Sequence, residues 1–198
     1  PLWITVTAVL PDLEVAAVVP LPDLNRSVTG KSRPVKISII IPVLNEAKKL
    51  SRILDSLQGY RRQGHEVIVV DGGSADSSLK LAREAADIAL ESPPGRALQM
   101  NSGAAVAAGD VYLFLHADTL LPDSALQMIS AVSNKQPCWG RFDVRLSGGR
   151  AAFRIIETMM NLRSRLTSVV TGDQAIFIDA GLFNRIGGYP EIALMEDI

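Results

Sequence analysis

Cysteine is almost missing from this 198-residue chain: Cys138 stands alone, which excludes an intrachain disulfide and a zinc site built from cysteines. A lone cysteine suits a reducing compartment such as the cytoplasm, and its default role is that of a small buried hydrophobe. Charge imbalance is missing too. With 20 basic against 21 acidic side chains, no broad field draws nucleic acid or anionic lipid to the surface, and nucleic-acid binding gains no support. No stretch approaches the roughly 18–20 continuous apolar residues of a membrane-spanning helix. Three phosphate-binding signatures are also absent. The first strand is followed by Pro42-Val43-Leu44-Asn45-Glu46 rather than G-x-G-x-x-G, which argues against a dinucleotide-dependent dehydrogenase. Neither a Walker loop nor the Gly-rich basic loop of a sugar-phosphate nucleotidyltransferase is present.

What remains is ordinary for a globular protein, with 47% hydrophobic and 21% charged residues in a length that suits one domain. Residues 1–35 stand apart. Their apolar pieces are interrupted by Pro11, Pro20, Pro22 and Pro34, with no initiator Met and no basic region ahead of a cleavage site, so they read as a poorly ordered extension. Residues 36–198 read as the folded domain. The chain stops at Glu196-Asp197-Ile198 with no turn signal or polar tail, which reads as truncation.

From Lys36 onward, short β-branched runs alternate with segments of helical period, the pattern of βα units around a mainly parallel sheet. Val35–Pro42, Glu66–Val70, Ile88–Leu90 and Val111–Leu115 are expected strands, nearly all apolar as when both faces are covered. Helices are expected over Glu46–Leu57, Ser77–Ala86, Ala97–Ala108 and Ser124–Ser133. Gly140–Leu146 alternates like one strand, and Gln174–Ile178 like a last one. Ala151–Leu166 has the longest helical pattern. Ile155, Met159, Leu162 and Leu166 form a stripe, flanked by Phe153, Ile156 and Met160, with Arg154, Glu157, Asn161 and Arg165 opposite. That stripe implies a core-facing helix; the alternative is contact with an acceptor lipid or a membrane surface, so peripheral membrane contact stays open.

In an open α/β sheet, ligands bind at the carboxyl ends of the strands, and polar residues gather there. Strand one ends in Asn45-Glu46, the next in Asp71-Gly72-Gly73-Ser74, and the fourth in His116-Ala117-Asp118. Each acid has an ordinary structural role available. Glu46 suits a helix first turn, Asp71 a turn before two glycines, and Asp118 a loop start. Three acids in one topological place favour a site.

These segments resemble the inverting GT-A glycosyltransferases of family 2. The resemblance rests on ISIIIPVLNE at 37–46, VIVVDGGSAD at 67–76, GRALQMNSGAAVAAGD at 95–110, LFLHAD at 113–118 and MED at 195–197. It implies a GT-A α/β fold with a mainly parallel central sheet flanked by helices, C-terminally truncated here. It also implies an enzyme that moves a sugar from a nucleotide-diphosphate donor to an acceptor hydroxyl. Asp-Gly-Gly-Ser, His-Ala-Asp-Thr, Gly172-Asp173-Gln174 and Met195-Glu196-Asp197 further resemble a compact bacterial subgroup linked to radical-SAM proteins or arsenosugar biosynthesis.

On the matching positions, the resemblance implies that Pro42, Asn45, Glu46, Asp71, Gly73, Arg96 and Asn101 lie along the nucleotide. Asp71 would accept the imide N–H of uracil and Arg96 would donate to a carbonyl or the diphosphate, which favours a UDP-sugar. Asp118 would help hold a divalent Mg or Mn ion. His116 replaces the first aspartate of the family's Asp-x-Asp motif and either donates to phosphate, ligates the metal or is a satisfied strand-end histidine. Asp173 and Gln174 would face the donor sugar or acceptor, Asp197 would be the general base and Glu196 its competitor. A non-catalytic nucleotide-sugar binding module is the alternative from another functional class.

Overall fold

The computed structural model describes residues 4–7, 34–134, 138–147, 151–167 and 174–190. In chain order these form β1 (Ile4–Thr7), β2 (Ile37–Val43), α1 (Ala47–Arg62), β3 (Glu66–Asp71), α2 (Ser78–Ala85), β4 (Ile88–Glu91) and α3 (Arg96–Val106). There follow β5 (Val111–Phe114), β6 (Thr119–Leu120), α4 (Ala125–Ser133), β7 (Trp139–Gly140), β8 (Asp143–Leu146), α5 (Ala151–Thr167), β9 (Ile176–Asp179) and α6 (Ala180–Ile186).

All seven residues of β2 are buried, because its two faces meet different helices. Ile37, Ile39, Ile41 and Val43 pack with Leu50, Ile53, Leu54 and Leu57 of α1. Ile40 joins Ile68 and Val70 of β3 and Met100 and Ala104 of α3 on the other side. A period of two along each strand thus feeds two apolar layers, which is why the strands read as continuous apolar runs. The main sheet has the order β4-β3-β2-β5-β9-β7. Its first four strands are parallel, while β9 is antiparallel to β5 and β7 to β9.

At the amino ends of the strands the sheet is pinned by a buried polar group. Ser38 Oγ donates to Glu66 Oε2 at 2.6 Å and accepts from Gly109 N at 2.9 Å, while Ala108 N donates to Glu66 Oε2 at 2.9 Å. Gly109 is required there: a Cβ would stand 2.5 Å from Ser38 Oγ.

Three expectations need correction. First, four residues of the segment expected to be poorly ordered, Ile4–Thr7, form a strand. β1 pairs in parallel with β6 and antiparallel with β8, forming a second, three-stranded sheet. Residues 8–33 lie outside the described ones. Second, Gly140–Leu146 is not one strand. β7 belongs to the main sheet and β8 to the small one. The break falls at Arg141, which is 1% exposed and donates to Asp143 Oδ1 at 2.8 Å, while Phe142 N donates to Gln174 O at 2.8 Å. Local alternation does not register that a chain has changed partners.

Third, α5 is turned around. Ile155, Ile156, Met159 and Leu162 are exposed, with Met159 at 66%, whereas the polar side expected in solvent faces β8. Glu157 accepts from Leu146 N and Arg154 donates to Leu146 O at 2.6 Å. Asn161 accepts from Val144 N at 2.9 Å and donates to Val144 O at 3.1 Å. The reason is the strand edge. β1 occupies one side of β8, and the N–H and C=O groups on the other side need partners, which an apolar stripe cannot provide. Among the described residues no helix is long and apolar enough to cross a membrane.

Candidate active site

A cleft of about 410 Å³ opens at the carboxyl ends of β2 and β5. Pro42, Val43, Leu44 and Glu46 line it from the end of β2, and Lys49 from α1. Gly95, Arg96 and Gln99 come from the start of α3, and His116 and Asp118 from the loop after β5.

The loop from β2 to α1 is shaped by the loop after β3. Asn45 is left-handed, with φ 56°, a conformation asparagine tolerates better than most side chains. Its N–H donates to Ser74 Oγ and its Oδ1 accepts from Ala75 N, both at 2.8 Å. The first turn of α1 has no cap from its own Glu46 side chain. Its exposed donors are met from elsewhere: Glu46 N donates to Ser78 Oγ at 3.0 Å and Ala47 N to Asp76 Oδ2 at 3.0 Å. Ser78 Oγ in turn donates to Asp76 Oδ1 at 2.6 Å, and this bond above all, with those from Ala47 N and Ser78 N, holds the Asp76 carboxyl below its ordinary range. A helix start needs such acceptors, and here they join the Asn45-Glu46 and Asp71–Ser78 segments into one unit.

Asp71 is 1% exposed. Its Oδ2 accepts from Gly73 N at 3.0 Å and Ser74 N at 2.7 Å, closing a turn in which Gly73 has φ +90°. Its Oδ1 is buried with no hydrogen-bond partner among the described residues. Gln99 is buried as well, and both of its amide hydrogens are used: Nε2 donates to Val43 O and Val70 O, each at 2.8 Å. It fastens the floor of the cleft where β2 and β3 end.

On the opposite wall, Thr119 N donates to His116 O at 3.0 Å. The resulting turn carries Asp118 outward, while His116 stays 7% exposed. Lys49 bridges the two walls: its Nζ lies 2.9 Å from Glu46 Oε1 and 2.9 Å from Asp118 Oδ2. Hydrogen bonding to Glu46, opposed by partial burial and reinforced by Asp118, raises the Lys49 ammonium above its ordinary range, so it is charged at neutral pH.

Of the residues expected from the sequence, the fold brings Pro42, Glu46, Arg96, His116 and Asp118 to the cleft. Asn45, Asp71 and Gly73 shape the adjoining loops. Asn101 is engaged elsewhere, its amide donating to Tyr189 O and accepting from Tyr189 N, both at 2.9 Å. Gln174 is fully buried, with its carbonyl accepting from Phe142 N. Asp173, Glu196 and Asp197 lie outside the described residues. Lys49 and Gln99 were not expected. The signal for Lys49 was its place three residues after Glu46, on the same helix face; nothing local in the sequence marks Gln99.

The donor set suits a hard cation. Two carboxylate oxygens already flank one cation, the Lys49 ammonium, and oxygen ligands are what Mg and Mn prefer. No cluster of three or more His, Cys, Asp or Glu side chains forms among the described residues, so a divalent ion here would need oxygen atoms from the ligand to complete its shell.

Comparison with known proteins finds glycosyltransferases. An uncharacterized glycosyltransferase of Mycobacterium tuberculosis is 33% identical over 168 residues, covering 77% of this chain and 62% of the relative. A PGL/p-HBAD biosynthesis glycosyltransferase of Mycobacterium bovis is 31% identical over 166 residues, with the same coverage of 77% and 62%. The chain therefore spans less than two thirds of these relatives. Among solved structures, the mannosyltransferase PcManGT of Pyrobaculum calidifontis, in complex with GDP-Man and Mn2+, superposes with a TM-score of 0.64 at 22% identity, covering 84% of this chain and 50% of that one. S. aureus TarS gives 0.59 at 20% identity, covering 82% and 52%. These likenesses establish the GT-A type of α/β fold. Residues 38–180 match the glycosyl transferase family 2 model, and the chain belongs to that family.

Proposed function

We propose that this chain holds the donor site of an inverting glycosyltransferase, which moves a sugar from a nucleoside-diphosphate donor, preferentially a UDP-sugar, to an acceptor hydroxyl. The observation that carries this reading is the cleft itself. Cationic Arg96 and Lys49, the start of α3, and carboxylates from two different loops converge where an α/β sheet binds ligands. A helix N-terminus and basic side chains suit a diphosphate. The glycosyltransferase names of relatives above 30% identity support transfer as the reaction.

Uridine is favoured by Asp71. A buried carboxylate oxygen without a donor is unfavourable unless a ligand supplies one, and the uracil imide N–H is such a donor. Asp118, with Glu46, would hold a divalent Mg or Mn ion, which supplies Lewis-acid stabilisation of the departing diphosphate. Asp197 takes the proton of the acceptor hydroxyl as its oxygen bonds to the anomeric carbon, while the diphosphate leaves with the electron pair of the broken C–O bond. A narrower placement, beside radical-SAM-linked transferases, is supported by the Asp-Gly-Gly-Ser, His-Ala-Asp and Met-Glu-Asp wording.

Titration calorimetry with UDP, GDP and ADP in the presence of Mn tests this directly. UDP is expected to bind tightest, and Asp71→Ala to weaken UDP more than GDP. Equal affinities would remove the uridine preference, and no binding of any nucleotide would remove the donor-site reading.

A further inference from the structure

We infer that Lys49 is a diphosphate-binding residue. Its ammonium, with Arg96, supplies part of the positive charge at the cleft that a divalent ion would otherwise provide, so nucleotide binding here persists when divalent ions are removed. The inference rests on the donor-site reading and extends it.

Among the described residues, four charged side chains line the cleft: Glu46, Asp118, Lys49 and Arg96. With His116 where a second aspartate would add another negative charge, the two acids are balanced by the two bases before any metal enters. Lys49 is held in place. Its Nζ lies 2.9 Å from Glu46 and 2.9 Å from Asp118, carboxylates that approach from opposite walls.

An ammonium has three N–H donors. Two are spent on these carboxylates, and the third has no protein acceptor among the described residues. The side chain is 37% exposed and lines the cleft, so the third donor is within reach of a ligand oxygen. A lysine on two carboxylates is also a positioned one. Much of its rotamer freedom is already lost before ligand arrives, which lowers the entropy cost of the new contact. The hydrogen bond to a phosphate oxygen is charge-assisted, the stronger class.

The opposite role on the same geometry is that of a block, an ammonium between Glu46 and Asp118 that holds the place of a metal ion and hinders binding. The third donor and its exposure favour assistance over blockade, and experiment separates the two.

The test is calorimetric titration of UDP into the parent, Lys49→Met and Lys49→Arg, each in EDTA and in Mn. Lys49→Met keeps the aliphatic stem and removes the charge, and a melting curve confirms that it folds. In EDTA, Lys49→Met is expected to bind UDP about ten- to a hundredfold more weakly, the loss of one hydrogen bond to a charged group. Lys49→Arg should retain most of the parent affinity. The ratio of affinities in Mn and EDTA should be larger in Lys49→Met than in the parent, since the ion then replaces more of the positive charge beside Arg96. Unchanged UDP affinity of Lys49→Met in EDTA overturns the inference, as does tighter binding, which would mark Lys49 as a block. Failure of the parent to bind UDP, GDP or ADP even in Mn is a different result: it removes the donor-site reading itself and the inference with it.

Discussion

Replacing Gln99 with Met would show how much the floor of the cleft depends on one amide. The two side chains are close in volume, so the change opens little cavity and isolates the hydrogen bonds. Gln99 is 3% exposed and donates to Val43 O and Val70 O at 2.8 Å. Val43 O also accepts from Gly72 N at 2.9 Å, so it is not stripped of every partner. Two bonds at about 0.5–1.5 kcal/mol each predict a loss of about 1–3 kcal/mol. In a protein of this size that lowers Tm by about 2–12 °C. Gln99→Glu should be worse than Gln99→Met, because a carboxylate would then face two carbonyl oxygens. Chemical denaturation read by circular dichroism, with a thermal melt beside it, gives both numbers. Gly72 lies against this amide, its Cβ direction 3.1 Å from Gln99, so UDP affinity should fall in Gln99→Met as the Asp71 turn loosens. A Gln99→Met protein within about 0.5 kcal/mol of the parent, the ordinary scatter of surface substitutions, would refute the reasoning, and Gln99→Glu matching Gln99→Met would do so independently.

The remaining predictions concern α5 and pH. Met159→Ser and Leu162→Ser should each shift stability by no more than about 0.5 kcal/mol, as surface changes do, whereas Glu157→Ala should destabilise measurably by leaving Leu146 N without its acceptor. A loss of about 2–5 kcal/mol from Met159→Ser, typical of emptying a core position, would mean that this face is covered. His65 accepts from Ile37 N through Nδ1 at 3.2 Å, and burial lowers its imidazole below the ordinary value. Below about pH 6.5 the unfolded chain therefore binds a proton that the folded chain resists. The stability this group contributes is present above that pH and is lost as pH falls toward the folded value. Tm should drop between pH 7 and pH 5, with a shallower drop in His65→Gln; equal slopes would exclude His65 as the source.

The legible part of this protein was its βα core. Ile37–Val43 and Glu66–Asp71 announce themselves because strands covered on both faces must be apolar throughout, and the helices between them because their stripes recur at helical spacing. The convergence of Glu46, His116 and Asp118 followed from the same logic, since strand ends on one edge of a parallel sheet share one place, whereas Arg96 was expected there only from the family resemblance. The expected end of the first helix at Leu57 was early because its apolar stripe stops there, while the helix runs on to Arg62, just before Gly64 with φ +90°.

The sequence by itself determined the strand-and-helix alternation, the polar strand ends and the family wording, because these depend on neighbours within a few residues. Tertiary structure alone decided what each polar group is for. Lys49 is an ordinary helix-surface lysine until Asp118, 69 residues away, comes within 2.9 Å. Asn101 looks like a site residue until Tyr189 claims both ends of its amide. The stripe of α5 looks like a core face until the unpaired edge of β8 draws the opposite side inward. In each case the sequence shows a group able to hydrogen-bond or to be buried, and the partner that settles its role comes from a strand or loop far along the chain.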